Sequence, residues 1–387
     1  MGAPNRAAFV HGVPVGAGGL GVQAGNALRA LALCSAEVHA IGPGFAAGWN
    51  APPNVVWHQA PRSWTPWLGR TPLRRQSGLV QHLSDLRIAR FARSRLAKVG
   101  PDLCYAFTQV ALEPLLWARA NGVTSIVENP NGHIRAFRRV YVDQTRRWCG
   151  RGYPGHPTRA MVDRVEREYA LATHIRVSSQ WARRSLVEAG IAAERITVLQ
   201  QSVDLDRFAP SGNTPARHHA LRICFVGSLD LRKGFVYLLR AARAAGSPVE
   251  VTFVGATGDR AARQLLERER HGVSLQVTPG DPRPALAGAD LFVLPTLEDG
   301  SPFAVAEAMA CGVPVVTTTC TGAAEWITPG HTGWVVEPAS ETALAAALDH
   351  ASGVRGQLRA MGLAARAATE RRVEGADQAV ADWIARL

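Results

Sequence analysis

Short apolar runs alternate with amphipathic stretches through the second half of the chain. Arg222–Val226, Val249–Val254, Val273–Val277, Leu291–Leu294 and Val313–Thr317 read as buried strands, with Phe235–Ala245, Arg260–Arg270 and Phe303–Cys311 as helices between them. Strands that alternate with helices pair in parallel through crossover helices. Several runs end in Gly or Pro, namely Gly227, Gly255 and Pro295. In such sheets ligands sit at the carboxyl ends of strands. The first half repeats the pattern with strands expected at Ala7–His11, Asp102–Ala106, Thr124–Val127 and His174–Val177, and helices at Val22–Leu33, Leu79–Lys98, Glu113–Ala120 and Thr158–Ala172. Gln200–Pro215, with Gly212 and two prolines nearby, reads as a linker. The expected fold class is therefore α/β: two doubly wound Rossmann-like domains, residues 1–200 and 201–387, with ligand crevices facing each other. The last helical stretch, Arg371–Leu387, either closes the second domain or crosses back to the first.

Composition narrows the function classes. The chain has 387 residues, 47% hydrophobic and 19% charged, enough for two buried cores. No apolar run reaches the roughly 18–20 residues a membrane-spanning helix needs, and Ala7–Val10 is too short for the core of a secretion signal. The cysteines Cys34, Cys104, Cys149, Cys224, Cys311 and Cys320 form no C-x-x-C pair, so neither a zinc site nor a disulfide framework is expected. A reduced, cytoplasmic setting fits.

Charge is divided unevenly. Residues 1–200 hold 25 Lys and Arg against 11 Asp and Glu, whereas residues 201–387 hold 18 against 20. A basic first half attracts phosphate, nucleic acid or anionic lipid, or is simply a solvated Arg-rich surface. No zinc-finger, basic-zipper or RNA-recognition pattern supports nucleic acid.

The segment from Glu298 to Val316 carries the sharpest chemistry. Leu291–Pro295 is a buried strand, and Glu298–Ser301 is the loop at its carboxyl end. Pro302 suits the first turn of the following helix, where its missing N–H costs nothing. The amides that follow Pro302, those of Phe303, Ala304 and Val305, thus direct unpaired N–H groups into the crevice, where a helix N-terminus binds phosphate. Asp299 precedes the helix and Glu307 lies one turn inside it, placed for two adjacent ribose hydroxyls. A second constellation, Phe225-Val226-Gly227-Ser228-Leu229-Asp230-Leu231-Arg232-Lys233-Gly234, follows the first strand of this half. Arg232 and Lys233 stand at a helix start, where cations oppose the dipole and so suggest a bound anion; the Arg232 guanidinium could grip phosphate by two bonds.

These segments resemble family-4 retaining glycosyltransferases (glycosyl transferases group 1) of the GT-B fold, whose signature is two acids eight positions apart followed by A-M-A-x-G-x-P-V-V. Glu307 and Ala308–Val316 match it, with Asp299 in place of the first Glu. Phe225–Gly234 resembles the V-G-R-L-x-x-x-K-G segment, with Lys233 matching its Lys and Ser228 in place of its Arg. Gln201–Phe208 is similar to the crossover segment N-G-V-D-x-x-x-F. The resemblance is specific from about Val198 to Pro338 and rests on architecture before that.

The resemblance implies a retaining sugar transfer from a nucleotide-diphosphate sugar to a hydroxyl acceptor. Asp299, Glu307 and His133 then stand at catalytic positions. Lys233, Arg232, Ser228, Gly18, Gly19, Ser301, Pro302, Phe303, Ala304, Val305 and Glu307 hold the donor. Gly18 and Gly19 come from the glycine-rich loop Gly16–Gly21, and His133 from the turn Glu128–His133, which places it at the crevice mouth either on the sugar or as a capping residue. Glu325 is a possible wall of the donor site. No cofactor beyond the substrate is implied, and Asp204-x-Asp206 reads as structural, so metal independence is expected. The alternatives are a GT-B epimerase or phosphorylase, or a basic membrane- or nucleic-acid-binding protein. A phosphorylase would need a pyridoxal Lys, and Lys233 is the only Lys in the second half. Finally, Trp64–Arg75 and the helix with Arg87, Arg90, Arg93, Arg95 and Lys98 suggest either peripheral contact with an anionic membrane, at the inner face, or a core-packed helix with a solvated Arg face.

Overall fold

The computed structural model describes residues 3–61, 77–150, 157–211, 219–256, 258 and 260–387. The stretch Trp64–Arg75 lies outside them. The chain divides into two compact units. One comprises Met1–Arg138, Pro154–Ser202 and Gly375–Leu387, the other Arg139–Tyr153 and Val203–Glu374.

The first unit is built on a seven-stranded parallel sheet in the order β3-β2-β1-β4-β5-β6-β7. Its strands are β1 (Arg6–Val10), β2 (Glu37–Gly42), β3 (Val55–Gln59), β4 (Leu103–Phe107), β5 (Thr124–Glu128), β6 (His174–Val177) and β7 (Ile196–Val198). β1 and β4 are buried almost throughout, as a central strand covered on both faces must be. Three of these strands, β2, β3 and β7, and the helices Ile134–Cys149 and Gln180–Glu188 were not expected from the sequence pattern. Side-chain caps start two helices: Thr158 accepts from the Met161 N–H, and Ser179 from the Ala182 N–H.

The second unit holds a six-stranded parallel sheet, β10-β9-β8-β11-β12-β13. Its strands are β8 (Leu221–Val226), β9 (Val249–Val254), β10 (Ser274–Thr278), β11 (Leu291–Leu294), β12 (Val315–Thr318) and β13 (Gly333–Val336). All but β13 lie within two residues of the expected runs. The core joins Phe225, Phe253 and Phe292 of the sheet to Leu238, Met309, Leu344 and Leu348 of the helices.

The expected C-terminal helix is two. Leu358–Val373 stops before Gly375, whose φ of 66° breaks it, and Ala376–Ala385 follows. This last helix is part of the first unit, where Asp377 accepts from Arg29 at 3.2 Å and from Ser202 at 2.7 Å.

Both sheets reverse their strand order once, between β1 and β4 in the first and between β8 and β11 in the second. Ligands of doubly wound sheets bind outside the carboxyl ends of the strands at such a switch point.

Candidate active site

At the second unit's switch point, the loop after β8 and the loop after β11 are laced together. Leu297 N–H donates to the Arg232 carbonyl at 2.8 Å, and the Thr296 hydroxyl donates to the same oxygen at 3.2 Å. Gly234 makes this approach possible. Its φ is 76°, and a Cβ there would lie 2.0 Å from the Pro295 carbonyl oxygen. Only glycine accommodates both conditions, so the residue after Lys233 is dictated by packing.

Five charges and a phenol meet in this lacing. Lys233 Nζ pairs with Asp299 Oδ2. Arg232 Nη1 donates to the Glu298 carbonyl oxygen and lies 3.3 Å from Glu298 Oε2 and 3.4 Å from Asp299 Oδ2. Asp230 accepts from the Arg232 N–H at 2.9 Å and from the Tyr141 hydroxyl. Glu298 and Asp299 are both buried, and Asp299 is fixed further by its N–H on the Cys320 carbonyl at 3.2 Å. Burial and the Asp230 carboxylate push the Tyr141 hydroxyl well above its ordinary pKa, so it stays protonated as a donor.

This corrects the expectation for Arg232. A guanidinium 9% exposed and committed to Glu298 and Asp299 does not reach out to grip a phosphate. It props the acidic loop in place, because a buried cation is tolerated only where acids surround it. Lys233 lies at the edge of the cluster, and its partner Asp299 is a single carboxylate that an incoming anion could replace.

The helix Phe303–Ala310 starts beside the cluster. Pro302 is its N-cap rather than a residue of its first turn, with φ −68° and ψ 119° in the extended region, and no side chain caps the end. Ser301 and Ala304 are partly buried, and Phe303 and Val305 are buried. Glu307 follows one turn in. Its carboxyl has no hydrogen-bond partner among the described residues, and burial raises its pKa to about 7, with Arg207 opposing and Asp281 adding to the rise. Ser228, in the loop after β8, is exposed. Glu325 lies within the turn Gly322–Trp326 and pairs with Arg372 at 3.7 Å.

In the first unit, Gly18 and Gly19 are not in a loop. They form the first turn of the helix Gly18–Cys34, exposed and without a capping side chain, and Gly18 has φ 62°. The loop is closed by Gly21, where a Cβ would lie 2.3 Å from the Pro14 carbonyl oxygen. His133 is buried. Its Nδ1 accepts from the Arg135 N–H at 3.3 Å, its own N–H donates to Ser185 Oγ at 2.9 Å, and its ring lies against Tyr169. This is the geometry of a residue that caps the helix Ile134–Cys149. Burial lowers the pKa of His133, and its Nε2 lies 3.9 Å from Glu166.

Sequence reasoning missed Tyr141 and Asp230. Tyr141 stands in the first half of the chain but belongs to the second unit, through the segment Arg139–Tyr153. Nothing local marks it; only its contact with Asp230 reveals the role.

Residues 220–352 match the family of glycosyl transferases group 1. They span the whole cluster just described, the uncapped helix and Glu307. This region is similar to the glycosyl transferases group 1. Outside it the likeness continues in fold. The chain is 31% identical over 210 residues to the amylovoran biosynthesis glycosyltransferase AmsK of Erwinia amylovora, covering 50% of this chain and 51% of that protein. It spans about half the length of the curated relatives it matches. The sucrose-phosphate synthase of Thermosynechococcus elongatus superposes over 98% of both chains with a TM-score of 0.77 at 16% identity. Anabaena HepE, solved in complex with UDP-glucose, covers 99% of this chain and 100% of its own, with a TM-score of 0.70 at 16% identity. The architecture is therefore GT-B.

Proposed function

We propose that the protein is a retaining glycosyltransferase that takes its sugar from a nucleotide-diphosphate donor bound to the second unit. The observation that supports this most strongly is the grouping at the β8/β11 switch point. There, Lys233 stands beside an uncapped helix N-terminus, and the unbonded carboxyl of Glu307 follows one turn further along. Lys233 and the amides after Ser301 take the diphosphate, and Glu307 accepts from the ribose hydroxyls. Asp299 is then the counter-ion that the diphosphate displaces, and Arg232 holds the acidic loop that carries it.

In the reaction the acceptor hydroxyl oxygen bonds to the anomeric carbon while the bond from that carbon to the diphosphate oxygen breaks. The electron pair leaves with the diphosphate, and the departing oxygen takes the acceptor proton. The new bond forms on the face the nucleotide leaves, so configuration is retained without a protein nucleophile. Fixed donors around the diphosphate stabilise its developing charge, which is the electrostatic contribution to rate. Lys233 and the helix dipole supply that charge in place of a metal ion.

A relative named for amylovoran biosynthesis and a neighbour holding UDP-glucose support a sugar nucleotide as donor and a glycan hydroxyl as acceptor class. No helix among the described residues is long and apolar enough to cross a membrane. The helix Ser77–Val99 exposes Leu79 and Leu83 on the surface that also carries Arg90, Arg93 and Lys98. This supports action at the cytoplasmic face of an anionic membrane. The functional reading is tested by a thermal-shift screen across UDP-, GDP-, ADP- and dTDP-sugars. A ligand at 100 times its dissociation constant stabilises by about 2.7 kcal/mol, and no shift with any of them would refute the donor assignment.

A further inference from the structure

The switch point of the first unit holds a carboxyl group that the donor site does not use. Asp85, on the helix Ser77–Val99, is 2% exposed. Its Oδ1 accepts from Gln81 Nε2 at 2.8 Å, whereas its Oδ2 is buried with no hydrogen-bond partner among the described residues. A polar atom in that state costs free energy, and natural folds keep few of them.

The position of Asp85 is specific. Gly12 lies just beyond the end of β1, and a Cβ built there would sit 3.7 Å from Asp85 Oδ1 and 3.2 Å from Val110 Cγ1. Val110 lies beyond the end of β4. Asp85 therefore stands where the loops after β1 and β4 come together, and these are the two strands between which the sheet order reverses.

Two further features converge here. Gln109, next to Val110, has a φ of 80°, which a non-glycine residue adopts only under constraint. Its N–H donates to Glu168 Oε2 at 2.7 Å and its carbonyl accepts from Arg164 Nε at 2.9 Å, so the loop is pinned in that conformation. His82, three residues before Asp85 and so on the same helical face, buries an Nδ1 that also lacks a partner among the described residues. Arg164 is spent on Glu113, Glu168 and the Gln109 carbonyl, and supplies no free cation for an anion.

We propose that Asp85 anchors a hydroxyl group of a neutral, polyhydroxylated acceptor at the β1/β4 switch point of the first unit, with His82 as a second polar contact. The proposal rests on the glycosyl-transfer reading above and gives it an acceptor site and an acceptor chemistry. A hydroxyl donates to Asp85 Oδ2 and so satisfies the orphan oxygen. A phosphate would meet the Asp85 carboxyl, and the nearby Arg164 is already paired with Glu113 and Glu168. Burial raises the Asp85 pKa to about 7, the cost of a carboxyl held for a ligand rather than for the fold.

The test is saturation-transfer NMR on the full chain and on Asp85→Asn, with methyl α-D-glucopyranoside and methyl α-D-mannopyranoside as probes and UDP in the same samples. Wild type should bind at least one pyranoside. Asp85→Asn should weaken that binding by about tenfold, the equivalent of one hydrogen bond, with the UDP signal unchanged. Its melting temperature should equal or exceed that of wild type, because a desolvated carboxyl has been removed from a site that serves binding. Pyranoside binding that is absent in wild type or unchanged in Asp85→Asn overturns the proposal. So does a clear drop in melting temperature, which would make Asp85 a structural residue. Loss of the UDP signal in wild type would instead count against the donor reading and leave the pyranoside result to be judged by itself.

Discussion

Lys233 and Asp299, 66 residues apart in the chain, form an ion pair through Nζ and Oδ2 at the point where the loops after β8 and β11 meet. Both come from motifs that the sequence marks as donor-binding, yet they neutralise each other. With Arg232 paired to Glu298, the cluster carries no surplus of positive charge. On the proposed reading, donor binding exchanges one anion for another. Asp299→Asn should free Lys233 and tighten UDP binding by several-fold, while lowering turnover if the carboxylate also positions the sugar. Calorimetry with UDP checks the first half, and weaker binding would show that Asp299 holds the lysine in its productive place.

Glu307 gives a pH prediction with a definite sign. Its folded pKa, about 7, is raised by burial above the ordinary carboxyl range. Between those two values the folded state binds the proton more tightly, so stability contributed by the neutral form is lost as pH rises through 7. Glu307→Gln should thus be more stable than wild type in urea at pH 8, with the difference shrinking toward pH 5. Ribose hydroxyls prefer the ionised carboxylate, so wild-type affinity for uridine or the matching nucleoside should rise from pH 6 to 8, and that of Glu307→Gln should not. Turnover of Glu307→Ala should fall by about two orders of magnitude in a folded protein, from a lost charge-assisted hydrogen bond and a misplaced sugar.

In the first unit, Glu128, Arg176, Tyr105 and Gln23 form a buried network. Glu128 accepts from Arg176 Nη1 at 3.0 Å and from Tyr105 and Gln23, while Arg176 Nη2 donates to the Leu199 and Gln200 carbonyls at 3.3 Å. Both Glu128 and Arg176 are essentially inaccessible. Arg176→Met leaves Glu128 as an uncompensated buried charge and should destabilise by about 3–5 kcal/mol. Adding Glu128→Gln should recover much of that loss, and a urea-unfolding cycle measures both. Simple additivity of the two substitutions would contradict the network.

The helix Ser77–Val99 predicts binding to phosphatidylglycerol vesicles at low salt. Replacing Arg90, Arg93 and Lys98 with Gln should weaken co-sedimentation by roughly 1 kcal/mol per charge, and added salt should do the same, since exposed charges are screened within about 8–10 Å. No sedimentation at low salt would leave these residues as a solvated face.

The second sheet was legible because its inner strands are short apolar runs, three of them closed by Gly227, Gly255 and Pro295. β13, Gly-Trp-Val-Val, is too brief to stand out. In the first half β3 alternates poorly, with Val55, Trp57 and His58 all partly buried at the sheet edge. The helix Ile134–Cys149 spaces its buried residues Ile134, Phe137, Thr145 and Trp148 among five arginines, and its two ends belong to different units. At the candidate site, glycine, proline and acid spacing located the loops. What they did not give was the state of the charges. Whether an arginine is a phosphate ligand or a buried strut depends on acids brought from another strand end, here Glu298 and Asp299, and on a tyrosine, Tyr141, from the other half of the chain.

The most direct measurement of the central claim compares Lys233→Ala with wild type by calorimetry, using the nucleoside diphosphate of whichever donor gives the largest thermal shift and its parent nucleoside. Phosphate binding by Lys233 predicts a loss of about tenfold or more in diphosphate affinity, as for a charge-assisted hydrogen bond, with nucleoside affinity unchanged. Equal weakening of both ligands, or no weakening of either, would contradict a donor diphosphate seated at the β8/β11 switch point.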